Sequence, residues 1–457
     1  MNDITAFFAF LKYCLGYKEN MSRMIAGMNW HELYSFASKQ ALLGLCFEGI
    51  ERLGEEYPEE LRLNPIGREL LMTWMGKAQQ IRRQNMKVNA VAGKLFSMLR
   101  EDGLRCCVLK GQGNALMYPN PYSRTPGDID VWIDASRERI MEYAQKKFEL
   151  EDDIRLQHLE TSLDGVPVEL HFFPCSMNNP IYHARLQKWF RRNADLQYSH
   201  IVGLPDEAGD IAIPTTAFNV VYQLTHLYHH FFDEGIGMRQ IIDYFLVVND
   251  FSKNVFLDYD LSNHPVNFSN HPVPLSKEGS TFSPSPSSSG SGDVTALWCS
   301  EPLRSKDGGP SKVSPDCAGW DRLAIEGDNS AGSTTVVTSS ASTALVVVQR
   351  ELKYLGLWKF SGAVMYVLHE ALGLSEEKMI APMDEKRGKL LLAEILNGGN
   401  FGKHFTKYGH FTQQGMAKKY FLKIWRNMHF VRYFPAEALS EPIFRTWHFF
   451  WRLKHRR

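Results

Sequence analysis

Three carboxylates, Asp128, Asp130 and Glu169, stand in two short runs, Gly127-Asp128-Ile129-Asp130 and Val166-Pro167-Val168-Glu169-Leu170-His171, downstream of a Lys110-Gly111 turn. Carboxylates placed this way can hold two magnesium ions against a nucleoside triphosphate, because magnesium prefers their oxygens and keeps positions open for phosphate and water. Asp128 and Asp130 are two apart in a strand-like run, so they project from the same face while Ile129 points into the opposite layer. Like charges held that close repel, and the pattern implies a cation between them. Glu169 can reach the cluster from a neighbouring edge, either as a third metal ligand or as the base that takes a proton from an attacking hydroxyl.

Local patterning sets the elements that must position these groups. Arg105-Cys106-Cys107-Val108-Leu109 is a β-favouring run that stops at Lys110-Gly111, and Gln112 to Tyr118 can turn as a helix before Pro119 and Pro121 break it. A strand, a glycine turn and a helix start leave free backbone N–H groups that can face a phosphate. Asp128 to Ile133 reads as a second strand, and Val166 to His171 as a third that follows an Asp164-Gly165 turn. A helix is expected near Ser136 to Phe148, opened by Ser136 with Glu138 in its first turn.

In these residues the chain resembles the DNA polymerase β-like nucleotidyltransferase superfamily, and more closely a nucleotidyltransferase family whose core reads lysine-glycine, an arginine, then Asp-x-Asp. The matching positions are Lys110, Gly111, Arg124, Asp128, Asp130 and Glu169, and the likeness continues through His226-Leu227-Tyr228-His229-His230 and Gly235-Ile236-Gly237-Met238-Arg239-Gln240 to Asp243. The resemblance implies that Lys110, the Gly111 backbone and Arg124 steady the phosphates, and that Arg239 lies on a helix facing the cleft. Much of the superfamily carries Gly-Ser in the first loop. Here Lys110 would supply by charge what a serine supplies by hydrogen bonding. Asp-x-Asp alone is a weak signal, whereas lysine-glycine, Asp-x-Asp and a third acid in that order are much rarer by chance.

The chain has 457 residues, enough for two or three domains with a real core, and its 51 Lys+Arg against 51 Asp+Glu leave no net field to draw nucleic acid. Seven cysteines without a regular framework fit a reducing compartment, and Cys106-Cys107 read as small apolar residues of a buried strand. The N-terminus has no basic region before its apolar residues, and no apolar run reaches the length of a membrane span. The expected location is therefore cytoplasmic, with no transmembrane segment.

The expected organisation is α+β. Residues 1–100 form an N-terminal helical region, 101–205 a small mixed-sheet nucleotidyltransferase domain, and 206–250 with 346–457 a C-terminal helical region. Residues 251–345, crowded with serine, proline, glycine and threonine, form a long insertion expected to be disordered because such composition buries too little apolar surface to offset ordering entropy. Helical patterning runs from Thr215 to about Val248 and returns from Gln349, with Leu352, Leu355, Trp358 and Val364 in a buried stripe. His226 and His230 share a helix face and His229 sits one step round, which suits core or substrate contact better than zinc, since no HExxH pattern accompanies them. Arg239 and Asp243, four apart, could form a helix-surface ion pair or touch nucleotide. The aromatic and basic tail from Arg445 to Arg457 is expected to pack its aromatics onto the body, with membrane or nucleic-acid contact as alternatives.

The function expected is transfer of a nucleoside monophosphate from an NTP, ATP foremost, to an acceptor hydroxyl with magnesium or manganese assistance and release of pyrophosphate. Asp128, Asp130 and Glu169 are the catalytic and metal-binding residues, and Lys110, Gly111, Arg124 and Arg239 the nucleotide-binding ones. The acceptor is a small molecule foremost, with RNA and protein also open. The alternative is a nucleotide-binding or interaction protein, such as an antitoxin-like partner, that keeps the fold with little turnover. On the insertion the expectation is concrete: replacing residues near 255–343 by a short Gly-Ser bridge should leave the melting temperature nearly unchanged, and limited proteolysis should cut first within Ser283–Gly292. A large loss of melting temperature would show a folded domain instead.

Overall fold

The computed structural model describes residues 3–254, 333–404 and 416–455. Its centre is a mixed sheet of five strands, β1 (Cys106–Leu109), β2 (Ile129–Ile133), β3 (Leu150–Ile154), β4 (His158–Leu163) and β5 (Val166–His171), in the order β1-β2-β5-β4-β3. Only the β2–β5 pair is parallel, and the other three are antiparallel. β4 and β5 form a hairpin whose turn, Asp164-Gly165, has positive φ at both residues, the conformation that matches the twist of the flanking strands. A small second sheet pairs β6 (Ile201–Gly203) with β7 (Asp210–Ala212).

Alternation along β2 divides the structure. Ile129, Val131 and Ile133 join Val108, Val168 and Leu170 in a core with Val88, Ala92, Leu95, Phe96 and Leu99 of the helix Arg68–Glu101. Trp132 points the other way, into a larger core with Trp189, Phe190, Phe218 and Tyr222 from the helices Pro180–Arg192 and Thr216–Asp233. Asp130 shares the Trp132 side of the strand. The acids therefore face the later helices, and the sheet's other face is given to the N-terminal ones.

Residues 3–101 are helical throughout except for short connections, as their periodicity predicts. Ser136 caps the helix Arg137–Lys147 by accepting from the Arg139 N–H at 3.3 Å. The run read as one helical pattern from Thr215 to Val248 is two helices, Thr216–Asp233 and Met238–Asn254, because Gly235 takes a positive φ and its N–H closes the first helix on the His230 carbonyl. Residues 255–332, the bulk of the expected disordered insertion, lie outside the described residues. Its edges do not: one flank continues as helix to Asn254, and the other begins with the helix Ser333–Tyr354, where Ala344, Val347 and Val348 are buried.

The C-terminal helix Pro435–His455 is anchored by Glu437, which accepts from the backbone N–H groups of Asn178 and Asn179. Its aromatics divide. Phe444 and Trp451 are half-buried, but Trp447, Phe449 and Phe450 are 48%, 52% and 63% exposed, so the expectation that the tail packs its aromatics inward holds for only part of them. No helix among the described residues is long and apolar enough to cross a membrane.

The segment between β1 and β2 is clamped from the N-terminal side. Buried Asn85 donates to the carbonyls of Tyr122 and Arg124 at 3.0 and 2.8 Å, and Thr125 donates to the Ala41 carbonyl. Gly44, near the start of the helix Leu43–Glu56, lies so close that a Cβ there would overlap the Ser123 carbonyl oxygen. Gly44→Ala should therefore destabilise the protein by about 1–3 kcal/mol, although alanine is the better helix former, because a backbone group cannot step aside cheaply. Thermal unfolding checks the sign, and an unchanged or raised melting temperature would refute the clamp.

Candidate functional site

At the end of β1 the chain turns through Lys110, with φ 53° and ψ −129°, and Gly111, with φ 40°, into the short helix Gly111–Ala115. A non-glycine residue in the first conformation costs on the order of 1–3 kcal/mol and persists only where its surroundings demand it. The Lys110 ammonium shows the demand, lying 3.1 Å from Asp130 Oδ2 and donating to His226 Nε2 at 2.7 Å. The short helix is fixed from the other side by a reciprocal amide pair between Asn114 and Gln223, with bonds of 3.0 and 2.7 Å.

The parallel register of β2 and β5 places Asp130 directly beside Glu169, and Asp128 sits just before β2. Carboxylate oxygens of Asp128, Asp130 and Glu169 all lie within 4.8 Å of one another. The sequence pattern implied a cation among them, and the protein supplies two of its own. One is Lys110. The other is His171, whose Nε2 lies 3.0 Å from Asp130 Oδ1 and 3.1 Å from Glu169 Oε2.

Electrostatics separate the two aspartates. Burial opposes the Asp130 charge, yet the Lys110 ammonium and the His171 hydrogen bond hold this carboxyl far below its usual range. Asp128 has no such bond, and the Asp130 charge, partial burial and Glu169 raise it to about 6. Burial works against the charges of both neutralising groups. Even so, Asp130, Asp128 and Glu169 keep Lys110 above its ordinary value, and hydrogen bonds to Asp130 and Glu169 raise His171 to about 9. His171 is then an imidazolium, donating from Nε2 to the acids and from Nδ1 to the Phe173 carbonyl at 3.4 Å.

Around the acids opens a cavity of about 340 Å³, lined by Lys110, Gly111, Arg124, Arg239, Phe401 and Lys403 among others. Arg124 is buried and forked onto Asp243, with Nε–Oδ1 and Nη2–Oδ2 at 2.9 and 2.8 Å, and Tyr118 donates to the same carboxylate at 2.8 Å. Asp243 is thus the partner of Arg124, where the i,i+4 spacing had suggested a surface pair with Arg239. Arg239 is itself buried, donates from Nη1 to the Thr125 carbonyl at 2.9 Å, and lies 5.5 Å over the Phe401 ring. Among the described residues, Arg124 Nη1 and Arg239 Nε have no hydrogen-bond partner.

The three histidines line the same cavity. His226 Nε2 accepts from Lys110, so the 3.0 Å contact with His230 Nε2 requires His230 to donate. Burial, followed by the charge of Lys110, holds His226 well below its ordinary value. Burial and His229 lower His230 to about 3. All three are neutral wall residues, and among the described residues they join no metal-ligating cluster. At the end of their helix, Asp233 is held by Lys423 at 3.0 Å and Arg445 at 2.7 Å, which carries the C-terminal helices to the cavity wall.

All seven residues singled out in the sequence line this cavity. The residues that pattern reasoning missed are His158, His171, Asn114, Gln223 and Phe401. His171 carried a readable signal, lying two positions beyond Glu169 and so on the same face. Phe401 carried none.

A family described as uncharacterised nucleotidyltransferase matches residues 26–263 of the chain. No curated protein and no solved structure matches it.

The His171 charge gives the apo protein a pH signature. A histidine raised from 6.5 to about 9 contributes stability that is fully present below pH 6.5 and is lost as pH rises through about 9. His171→Gln should therefore be less stable than wild type by on the order of 2 kcal/mol at pH 6, with the gap narrowing towards pH 10. Denaturant unfolding at the two pH values measures it, and a gap that does not change with pH would refute the imidazolium.

Proposed function

Because the chain belongs to the uncharacterised nucleotidyltransferase family, we propose that it transfers a nucleoside monophosphate from an NTP, ATP foremost, to an acceptor hydroxyl and releases pyrophosphate. The observation that carries this reading is the convergence of Asp128, Asp130 and Glu169 beside Lys110 in a cavity also lined by the buried Arg124 and Arg239, each with one guanidinium nitrogen that has no hydrogen-bond partner among the described residues. Buried donors without acceptors are costly, and phosphate oxygens are the acceptors that guanidinium groups match best. The volume of about 340 Å³ falls at the lower end of the range of small-molecule sites.

The oxygen-only donor set of Asp128, Asp130 and Glu169 suits magnesium or manganese. When bound, such ions neutralise charge on the α-phosphate and lower the acceptor's pKa. Lys110, already charged and held by Asp130, can exchange that contact for a phosphate oxygen. Arg124, kept rigid by its fork onto Asp243, and Arg239 line the cavity and would supply positive charge to the triphosphate. Glu169 either completes the ligand set or takes the acceptor's proton. A small-molecule acceptor suits a cavity of this volume.

Label from an α-labelled NTP should appear in an acceptor in a cell extract, dependent on magnesium and accompanied by pyrophosphate. Asp128→Asn and Asp130→Asn should each lower kcat by about 100-fold or more, since metal-assisted charge neutralisation supplies several kcal/mol. Their apo stabilities should part. Removing the raised Asp128 charge relieves repulsion and raises the melting temperature, whereas losing Asp130 strands Lys110 and His171 and lowers it. Undiminished transfer in both variants would refute the assignment.

Lys110→Ala should raise KM for the NTP, and Glu169→Gln should mainly lower kcat if Glu169 is the base. Calorimetric magnesium binding decides Glu169's role, because loss of binding in Glu169→Gln makes it a ligand.

A further inference from the structure

The β4–β5 hairpin carries a second set of metal-ligating side chains, of which the proposed transfer uses only Glu169, as a ligand or base. β4 opens with His158-Leu159-Glu160 and β5 closes with Glu169-Leu170-His171, a mirrored pair of sequences. The antiparallel register sets His158 opposite His171 and Glu160 opposite Glu169, so all four side chains share one face of the sheet. Donor atoms of His158, Glu169 and His171 lie within 4.8 Å of one another. His158 is 5% exposed, and among the described residues its ring nitrogens meet only the Glu169 and Glu160 carboxylates, at 3.2 and 3.6 Å, without hydrogen-bond geometry. A buried ring whose nitrogens face carboxylates without bonding them leaves room for an ion to satisfy both.

We propose that His158, Glu169 and His171 form a binding site for a first-row transition-metal ion such as zinc, cobalt or manganese, adjoining the carboxylate cluster and sharing Glu169 with it. The separations suit an ion, which on binding would displace the proton that His171 Nε2 shares with Asp130 and Glu169, so that the imidazole ligates as the neutral ring. His158 Nδ1 and His171 Nε2 lie 3.2 and 3.1 Å from Glu169 Oε2, and donors bound to one ion at about 2.1 Å stand roughly 3.0–3.4 Å apart. Both rings already present the orienting contact that metal-bound histidines have on their second nitrogen. His171 Nδ1 faces the Phe173 carbonyl at 3.4 Å, and His158 Nε2 faces Glu160 Oε1 at 3.6 Å. Glu160 is in turn held by Arg155 at 2.7 Å. Ligand chemistry sets the selectivity, since imidazole nitrogens favour transition ions over magnesium. Entry is open because His158 and Glu169 both line the cavity.

The inference rests on the proposed transfer only for the second role of Glu169, and the test separates the two. The full chain, without nucleotide, is titrated with Co2+ and its visible d–d absorption recorded. Imidazole-ligated absorption should saturate with one ion, be abolished by an equivalent of Zn2+ and persist in a large excess of Mg2+. His158→Gln should weaken Co2+ binding by tenfold or more, and Glu160→Gln, which leaves the ligands in place, should weaken it less. Asp128→Asn should leave the Co2+ spectrum intact. Displacement of Co2+ by Mg2+, or equal Co2+ affinity in wild type and His158→Gln, would overturn the site whatever the transfer assay shows. A Co2+ site intact in a chain that transfers no label would overturn the transfer reading alone.

Discussion

The repulsion among Asp128, Asp130 and Glu169 is the constraint around which the rest of the structure is arranged. Three carboxylates with oxygens inside 4.8 Å could not all stay ionised in a half-buried pocket without compensation. Lys110 and His171 provide it, each at a cost of its own. Lys110 adopts a backbone conformation that a side chain rarely takes, and His171 keeps a charge while 1% exposed. The compensation is uneven. Asp130, bonded to both cations, is locked as a carboxylate, while Asp128 at the edge is left raised and available.

That arrangement requires rigid support, which comes from both ends of the chain. The N-terminal helices fix the loop before β2 through Asn85 and the close approach at Gly44. The later helices supply Gln223 to the short helix after Lys110, His226 to the Lys110 ammonium and Asp243 to Arg124. The break at Gly235 makes the last of these contacts possible by ending one helix and restarting another. The site is thus built where the sheet's polar edge meets the later helices, and neither side could hold it alone.

The charges within the cavity divide chiefly between acids paired with arginines and those of the metal-type cluster. Asp243 is already taken by Arg124, and Asp233 by Lys423 and Arg445, so the acids left facing the cavity are chiefly the metal-type cluster. Arg124 and Arg239 line the same cavity. A cation bound at the acids and an anion bound at the arginines would each complete what the other leaves open.

Sequence alone determined the features that depend on neighbours along the chain. The β-favouring run before Lys110-Gly111, the period-two spacing of Asp128 and Asp130, the capping Ser136 and the Asp164-Gly165 turn are local, and each is where its pattern put it. Family likeness carried Arg124 and Arg239 to the site without saying what they touch. Tertiary structure alone decided the partners. That Glu169 lies beside Asp130 follows from a parallel strand pairing, and that Asp243 serves Arg124 follows from helix packing across more than a hundred residues. His171 and His158 became part of the site only when the hairpin register faced them with the acids. Spacing within a strand is dictated by the pleat, but pairing between distant segments is chosen by burial and charge over the whole fold, and no short window of sequence contains that choice.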